Sequence, residues 1–218
     1  MSLWWRLIRF GFRLLYNELA WTYDLVSWGV SLGNWRRWQR AGIPHLRVGR
    51  GQPVLELAHG TADLQLDLAQ AGIWAVGLDL SPFMGRIAHR KLYRNGRDTR
   101  LVRGSAMQLP FPAGSYQAVV STFPTEFIIH RDTLSEAHRV LKPGGRLVFV
   151  PNGMLTLANP LARFLEWLYQ ITGQRGPWPR DPLEAFRSAG FIPEMVVEEL
   201  PGSRVWIVVA EKPEVGST

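Results

Sequence analysis

The sequence predicts an α/β protein in which a mostly parallel sheet is covered by helices on both faces, a three-layer arrangement. Three observations predict it. Between residues 54 and 150, short apolar runs alternate with segments of helical periodicity, and the turns between them are short. The first of these runs passes through small residues straight into a helix, as V-L-E-L-A-H-G-T-A-D from Val54 to Asp63. The chain then closes on two apolar runs joined by Pro201, Gly202 and Ser203, a hairpin signal, so the last strand runs antiparallel. At 218 residues the chain suits one such domain with appendages.

The N-terminal part reads differently. Residues 1–50 carry eight Arg against Glu18 and Asp24, whereas the remaining 168 carry 17 basic and 16 acidic residues, so the formal charge of +7 belongs to this segment. Six of the ten tryptophans lie here too. Residues 3–16 place Arg6, Arg9 and Arg13 on one helical face and Trp4, Leu7, Ile8, Leu14 and Leu15 on another, which predicts a basic amphipathic helix whose apolar face either lies in a membrane interface or packs on the protein's own sheet edge. Arg9 and Arg13 interrupt any signal-peptide core, and no run reaches the roughly 20 apolar residues of a membrane span. Residues 17–39 read as one or two helices broken near Ser31–Asn34, and their aromatic content suggests a lid over a pocket. The predicted organisation is therefore a helical lid over 1–50 and a core domain over 51–218.

In the core domain, Val54, Leu55 and Leu57 form the first strand, and Asp63 to Ala71 a helix stopped by Gly72. Trp74–Leu80 is the second strand, followed by Ser81 as N-cap, Pro82 at the first helical position and a helix over Phe83–Asn95. Leu101 and Val102 make a third strand, Gln117–Thr122 a fourth, Asp132–Leu141 a helix and Arg146–Val150 a fifth strand. A helical insertion at 152–190 follows, with a largely apolar helix over Met154–Ile171 and a short one over Pro182–Ala189. The hairpin joins Met195–Leu200 to Val205–Glu211. The absence of cysteine excludes disulfides, thiolate metal sites and a Cys nucleophile, and fits a reducing cytoplasm. The five histidines show no metal-ligand spacing, so no metal is predicted, and no nucleic-acid motif accompanies the basic residues. The basic run from Arg86 to Arg103 reads as a solvated face.

Four spaced motifs, L-E-L-A-H-G-T-A-D-L, G-L-D-L-S-P-F-M, G-S-A-M-Q-L-P-F-P-A-G-S-Y-Q-A-V-V-S and R-V-L-K-P-G-G-R-L, carry a family resemblance. In their order and intervals the chain, from about Tyr16 to Val150, resembles S-adenosylmethionine-dependent methyltransferases of the Rossmann-like type. Within them it is similar to the quinone-biosynthesis C-methyltransferases and their lipid N-methyltransferase relatives. The resemblance implies seven strands, with an antiparallel strand at the C-terminal end, and S-adenosyl-L-methionine as cofactor. It places Glu56 near the cofactor's amino group, Ala58, His59 and Gly60 along the turn, and Asp79 on the ribose, where two adjacent acceptor oxygens suit two hydroxyls. Leu80 and Met84 would flank the adenine, Ser105 and Ala106 would meet its polar edge, and Ser121 would stand beside the crevice at the end of the fourth strand.

The chain departs from the family pattern in two ways. Ala58 and Ala62 stand where the glycine-rich turn has Gly, and Ala62 fits only with negative φ, because a Cβ at positive φ is costly. Ser105 replaces an acid or amide. Near the acceptor the lid and the loop after the fourth strand would supply Tyr16, Tyr23 and Phe123, with Glu126 or His130 as general base. The expected function is methyl transfer to a lipid-like acceptor, a prenylated quinone or phospholipid amine, at the inner face of the cell membrane, with contact through residues 1–40 and 154–171. The rival readings are a soluble small-molecule methyltransferase, a non-catalytic cofactor-binding or membrane-docking protein, and, more distantly, a nicotinamide dehydrogenase, which lacks its G-x-G-x-x-G turn here.

Overall fold

A computed structural model describes residues 22–156, 160–171, 181–214 and 216. The amphipathic helix expected over 3–16, Tyr16, the side chain of Tyr23 and the 172–180 part of the insertion lie outside the described residues.

Two short helices lead in, α1 (Tyr23–Val30) and α2 (Trp35–Ala41). The chain breaks between them as expected: Ser31 donates its hydroxyl to the Ser27 carbonyl at 2.7 Å and accepts from the Trp35 amide at 2.9 Å, and Leu32 and Gly33 take φ of 50° and 78°. Then β1 (Val54–Leu57), α3 (Asp63–Gln70), β2 (Ala75–Asp79), α4 (Pro82–Arg94) and β3 (Leu101–Arg103) alternate, and β4 (Tyr116–Thr122) follows β3 without an intervening helix, ahead of α5 (Arg131–Val140). The remaining elements are β5 (Leu141–Leu155), α6 (Pro160–Ile171), α7 (Glu184–Ser188), β6 (Ile192–Leu200) and β7 (Ser203–Glu211).

The seven strands form one sheet in the order β3-β2-β1-β4-β5-β7-β6. β1 to β5 are mutually parallel, and β7 runs antiparallel to both β5 and β6, which confirms the predicted fold class. Right-handed crossovers that run outward from β1 in one direction and from β4 in the other put α3 and α4 on one face and α5 on the opposite one. The core divides accordingly. On one face Trp38 of α2, Leu64 and Leu68 of α3 and Leu165 of α6 pack on Val120, Val150 and Ile207; on the other Leu134 of α5 and Phe186 of α7 pack on Leu57, Val119 and Phe149. The order reverses between β1 and β4, so the carboxyl ends of those strands diverge and open a crevice.

Several boundaries differ from the sequence reading, β5 starting at Leu141 and not Arg146 and β6 at Ile192 and not Met195 among them. β5 continues to Leu155 instead of ending at Val150, because Asn152–Leu155 pair with Ser203–Trp206 of β7 beyond an irregularity after Phe149. Pro151, Asn152 and Gly153 suggest a turn by composition, but Gly153 serves packing: a Cβ there would overlap the Trp38 ring. The insertion helix consequently starts at Pro160, not at Met154.

Candidate active site

The site starts from the turn that leaves β1. Ala58, Gly60 and Ala62 have φ of 57°, 53° and 69°, so three alternating residues occupy the left-handed region. This corrects the expectation that Ala62 has negative φ. A Cβ in this region costs on the order of 1–2 kcal/mol, and the surroundings hold it there. Ala62 is fully buried among Leu66, Ala88 and Leu92, and its amide donates to the His59 carbonyl at 2.9 Å. We expect Ala58→Gly, at the half-buried position, to raise stability by about 0.5–1 kcal/mol, the strain relieved less the added unfolded-state entropy. A thermal melt of the variant checks it, and a lowered Tm would contradict the strain.

Asp79, at the tip of β2, anchors this turn. One carboxylate oxygen accepts from the Gly60 amide at 3.0 Å and the other from the Ser81 amide at 2.8 Å. Each oxygen keeps a lone pair for a further donor. The Gly104 amide donates to the Asp79 carbonyl at 3.1 Å, which brings the loop of Ser105 and Ala106 beside it. Ser105 turns its hydroxyl oxygen to the Met107 amide at 3.2 Å, and Ala106 joins the core. A cleft of about 480 Å³ opens beside His59, Asp79 and Ser81 and runs along α4 past Gly85 and His89 to Leu101.

Glu56 does not share the strand tip with Asp79. It pairs with Gly77 in the ladder, two residues short of Asp79, and is 1% exposed, accepting from the Gln65 side chain of α3 at 2.7 Å. Burial first of all, with the charges of Asp79, Asp63 and Asp67 added, pushes its carboxyl up to about 8. No cation touches it among the described residues. A buried acid in this condition beside a strained turn suits a ligand's ammonium group.

His59 is a wall of the site: its ring lies on Gly77, Nδ1 donates to the Gly60 carbonyl at 2.9 Å, and burial lowers its pKa, so the ring is neutral. Leu80 is exposed and free to cover a planar group. Met84 is not beside it. It is fully buried under α4, on the same helical face as buried Ala88 and Leu92. Ser121 is likewise removed from the crevice: it is fully buried and donates to the Leu57 carbonyl at 2.9 Å, stapling β4 to the end of β1. Phe123, with φ of 50°, donates its amide to the Val150 carbonyl and sets its ring 4.1 Å from that of Trp35 and 6.1 Å from that of Trp38. It thereby carries α2 on the loop after β4. Glu126 is exposed on a single helical turn, and His130 caps α5, its Nδ1 accepting from the Asp132 amide at 3.3 Å.

The sequence reading missed what fastens the N-terminal helices to the turn. Lys91 of α4 reaches Asp24 of α1 at 2.6 Å, Asp63 of α3 at 3.0 Å and Thr61 of the turn at 3.1 Å, and the Thr61 hydroxyl donates to Asp24 at 2.5 Å. Nearby, buried Asp67 of α3 accepts from Arg36 in two bonds of 2.8 and 3.0 Å and from Arg40 at 2.7 Å. Asp24 and Lys91 were readable only as a rare acid in a basic segment and one of three lysines. We expect Lys91→Met, which leaves Asp24 and Asp63 facing each other without their cation, to cost about 1–2 kcal/mol of stability. It should also weaken S-adenosylhomocysteine binding several-fold through the loosened turn. Melting and calorimetric titration of the variant check both, and unchanged affinity would confine Lys91 to stability.

The profile of the ubiE/COQ5 methyltransferase family matches residues 12–186. The demethylmenaquinone methyltransferase of Thermus thermophilus is 38% identical over 137 residues, 62% of this chain and 62% of the Thermus protein. That of Symbiobacterium thermophilum is 29% identical over 214 residues, 83% of this chain and 84% of its own length. The chain thus spans less than two thirds of the Thermus relative's length. Among solved structures, geranyl diphosphate methyltransferase in complex with S-adenosylmethionine superposes with a TM-score of 0.62 at 18% identity, over 81% of this chain and 84% of that one.

Proposed function

The chain belongs to the ubiE/COQ5 methyltransferase family, Rossmann-like enzymes whose cofactor is S-adenosylmethionine, and from that premise we propose that it methylates a ring carbon of a prenylated, demethylmenaquinone-like quinone at a membrane surface. The observation that carries the reading is the left-handed turn held by Asp79, together with buried, cation-free Glu56, in a chain 38% identical to the Thermus demethylmenaquinone methyltransferase.

The residues fit the cofactor. Asp79 has acceptor capacity left for ribose hydroxyls, Leu80 is exposed to cover the adenine, the turn at 58–62 brings backbone close, and Glu56 offers a carboxylate to the amino group. When bound, S-adenosylmethionine supplies an electrophilic methyl group on a sulfonium. The protein's share is to orient the acceptor, exclude water and take a proton. A ring carbon that gains a methyl must lose its hydrogen. We assign its receipt to Glu126, or to neighbouring His130, whose Nδ1 accepts in the helix cap so that Nε2 carries the ring proton, and which must release the cap to act as base. Phe123 and Trp35, stacked on each other, form the apolar wall under the lid.

The membrane part of the reading is supported by α6, where Leu161, Phe164 and Trp167 are each more than half exposed at three-residue intervals, and by the basic amphipathic pattern of residues 1–40. No helix among the described residues is long and apolar enough to cross a membrane. The test is transfer of a labelled methyl from S-adenosylmethionine to a short-chain demethylmenaquinone dispersed in detergent. Product methylated on the ring carbon is expected. Cofactor binding without turnover on this acceptor, or on a phospholipid amine offered in parallel, would leave a binding protein instead.

A further inference from the structure

Helix α4 carries a row of side chains that extends beyond the cofactor cleft, and only Arg86 and Arg90 of that row also line it. Phe83, Arg86, Arg90, Tyr93, Arg94 and Arg97 recur at three- and four-residue intervals from the start of α4 to just past its end, so they share one face, and all six are exposed, Tyr93 at 75%. Arg86 lies over the Phe83 ring at 4.5 Å. Arg90, Arg94 and Arg97 have no carboxylate partner among the described residues, and the single acid between positions 86 and 103, Asp98, is taken by Arg100. Four like charges along a helix face repel one another, and no ion pair among the described residues offsets them.

The same asymmetry extends over the whole helix layer. The acids on the α4 side are consumed internally: Asp24 and Asp63 by Lys91, Asp67 by Arg36 and Arg40, and Glu166 by the Leu155 amide. The large apolar side chains exposed on helices α1, α4 and α6, including Trp28, Tyr93 and Trp167, belong to this side as well. The opposite layer carries none on α5 or α7, and there Arg139 is paired with Glu136 and Arg187 with Asp181. Unpaired arginine interleaved with exposed aromatics is the chemistry of a surface that meets anionic headgroups and the interface beneath them. A nucleic acid would satisfy the arginines, but it gives no role to the apolar stripe of α6 in the same layer.

We infer that the α4 face docks the folded domain on an anionic phospholipid bilayer and that α6 inserts its apolar stripe from the same side. This rests on the reading of the acceptor as membrane-borne and adds the surface and the lipid charge that recruit the enzyme. The test uses the full chain in co-sedimentation with phosphatidylcholine vesicles, with and without phosphatidylglycerol, at low and high salt. Wild type is expected to bind only the phosphatidylglycerol vesicles and to be released by salt. R94Q/R97Q should weaken that binding on the order of 30-fold, given about 1 kcal/mol per basic residue near the surface. R94K/R97K should restore it, while R131Q/K142Q, a control pair outside this face, should change it less than about twofold.

Tm and S-adenosylhomocysteine affinity of R94Q/R97Q, whose residues stand outside the cleft, should stay those of wild type. Turnover of a detergent-dispersed short-chain quinone should be unchanged, with turnover of vesicle-embedded quinone lost. If R94Q/R97Q binds phosphatidylglycerol vesicles like wild type, or loses a fluorescent duplex oligonucleotide instead, the docking face is wrong. If neither quinone preparation turns over in wild type, the proposed acceptor is wrong, and the vesicle result still decides the surface.

Discussion

Glu56→Gln is expected to make the cofactor-free protein more stable at pH 8 and, in the same variant, to weaken S-adenosylhomocysteine binding by about 100-fold or more. Both effects come from one fact, a buried carboxyl pushed from its usual 4.5 up to about 8 by loss of water and by the neighbouring acids. The folded protein keeps this proton up to about pH 8, whereas the unfolded chain loses it near 4.5. Glu56 therefore contributes stability that is fully present below 4.5 and is lost as pH rises through about 8. A glutamine mimics the protonated form, can keep the bond to Gln65, and removes the loss; a gain of about 1–3 kcal/mol at pH 8, vanishing toward pH 4.5, is the expected pattern in denaturant titrations.

Binding has the opposite sign. A ligand ammonium prefers the ionised carboxylate, so affinity should rise with pH up to about 8, with a proton released on binding below that. Calorimetry in buffers of different ionisation enthalpy reads the proton directly. If Glu56→Gln is stabilised and still binds like wild type, Glu56 is only a packing residue and the ammonium must be held elsewhere.

Asp79→Ala is the second large effect. Its carboxylate closes the turn through the Gly60 and Ser81 amides, at 3.0 and 2.8 Å, and offers its remaining lone pairs to ribose hydroxyls. Removal should weaken S-adenosylhomocysteine binding on the order of 100-fold and cost about 1–3 kcal/mol of stability, because two amides lose a charged acceptor. Asp79→Asn separates the two losses: it keeps one acceptor oxygen and replaces the other with a donor, so stability should partly return while most of the affinity stays lost. Equal affinity for adenosine-containing and ribose-deoxygenated ligands in wild type would show that Asp79 serves the turn alone.

The architecture was legible because its signals are local. Val54–Leu57, the small residues after it and Asp79 at the end of the next apolar run declare a strand, a tight turn and an acceptor at fixed intervals. The closing hairpin was equally plain, since Pro201–Ser203 sits between two apolar runs. What stayed hidden is long-range or conformational. A residue type does not state its φ, so Ala62 could be judged only on condition, and the condition of a negative φ fails. Met84 and Ser121 were placed by their spacing from Asp79 and by the strand end, but burial depends on which helix face packs inward and on a staple between strands. Glu56 was matched to Asp79 by interval, yet strand register sets it two residues deeper. The knot of Asp24, Thr61, Asp63 and Lys91 joins residues up to 67 positions apart, and no local pattern announces it. The extension of β5 was masked by residues that favour a turn until β7 supplies partners.

Calorimetric titration of the purified chain with S-adenosylhomocysteine, at pH 6.5 and at pH 8.5, is the most direct measurement. Tighter one-to-one binding at the higher pH, with proton release at the lower and loss of the signal in Asp79→Ala, is the predicted result. Absence of heat at high-micromolar ligand at both pH values would contradict the assignment of this turn and its two carboxylates to the cofactor.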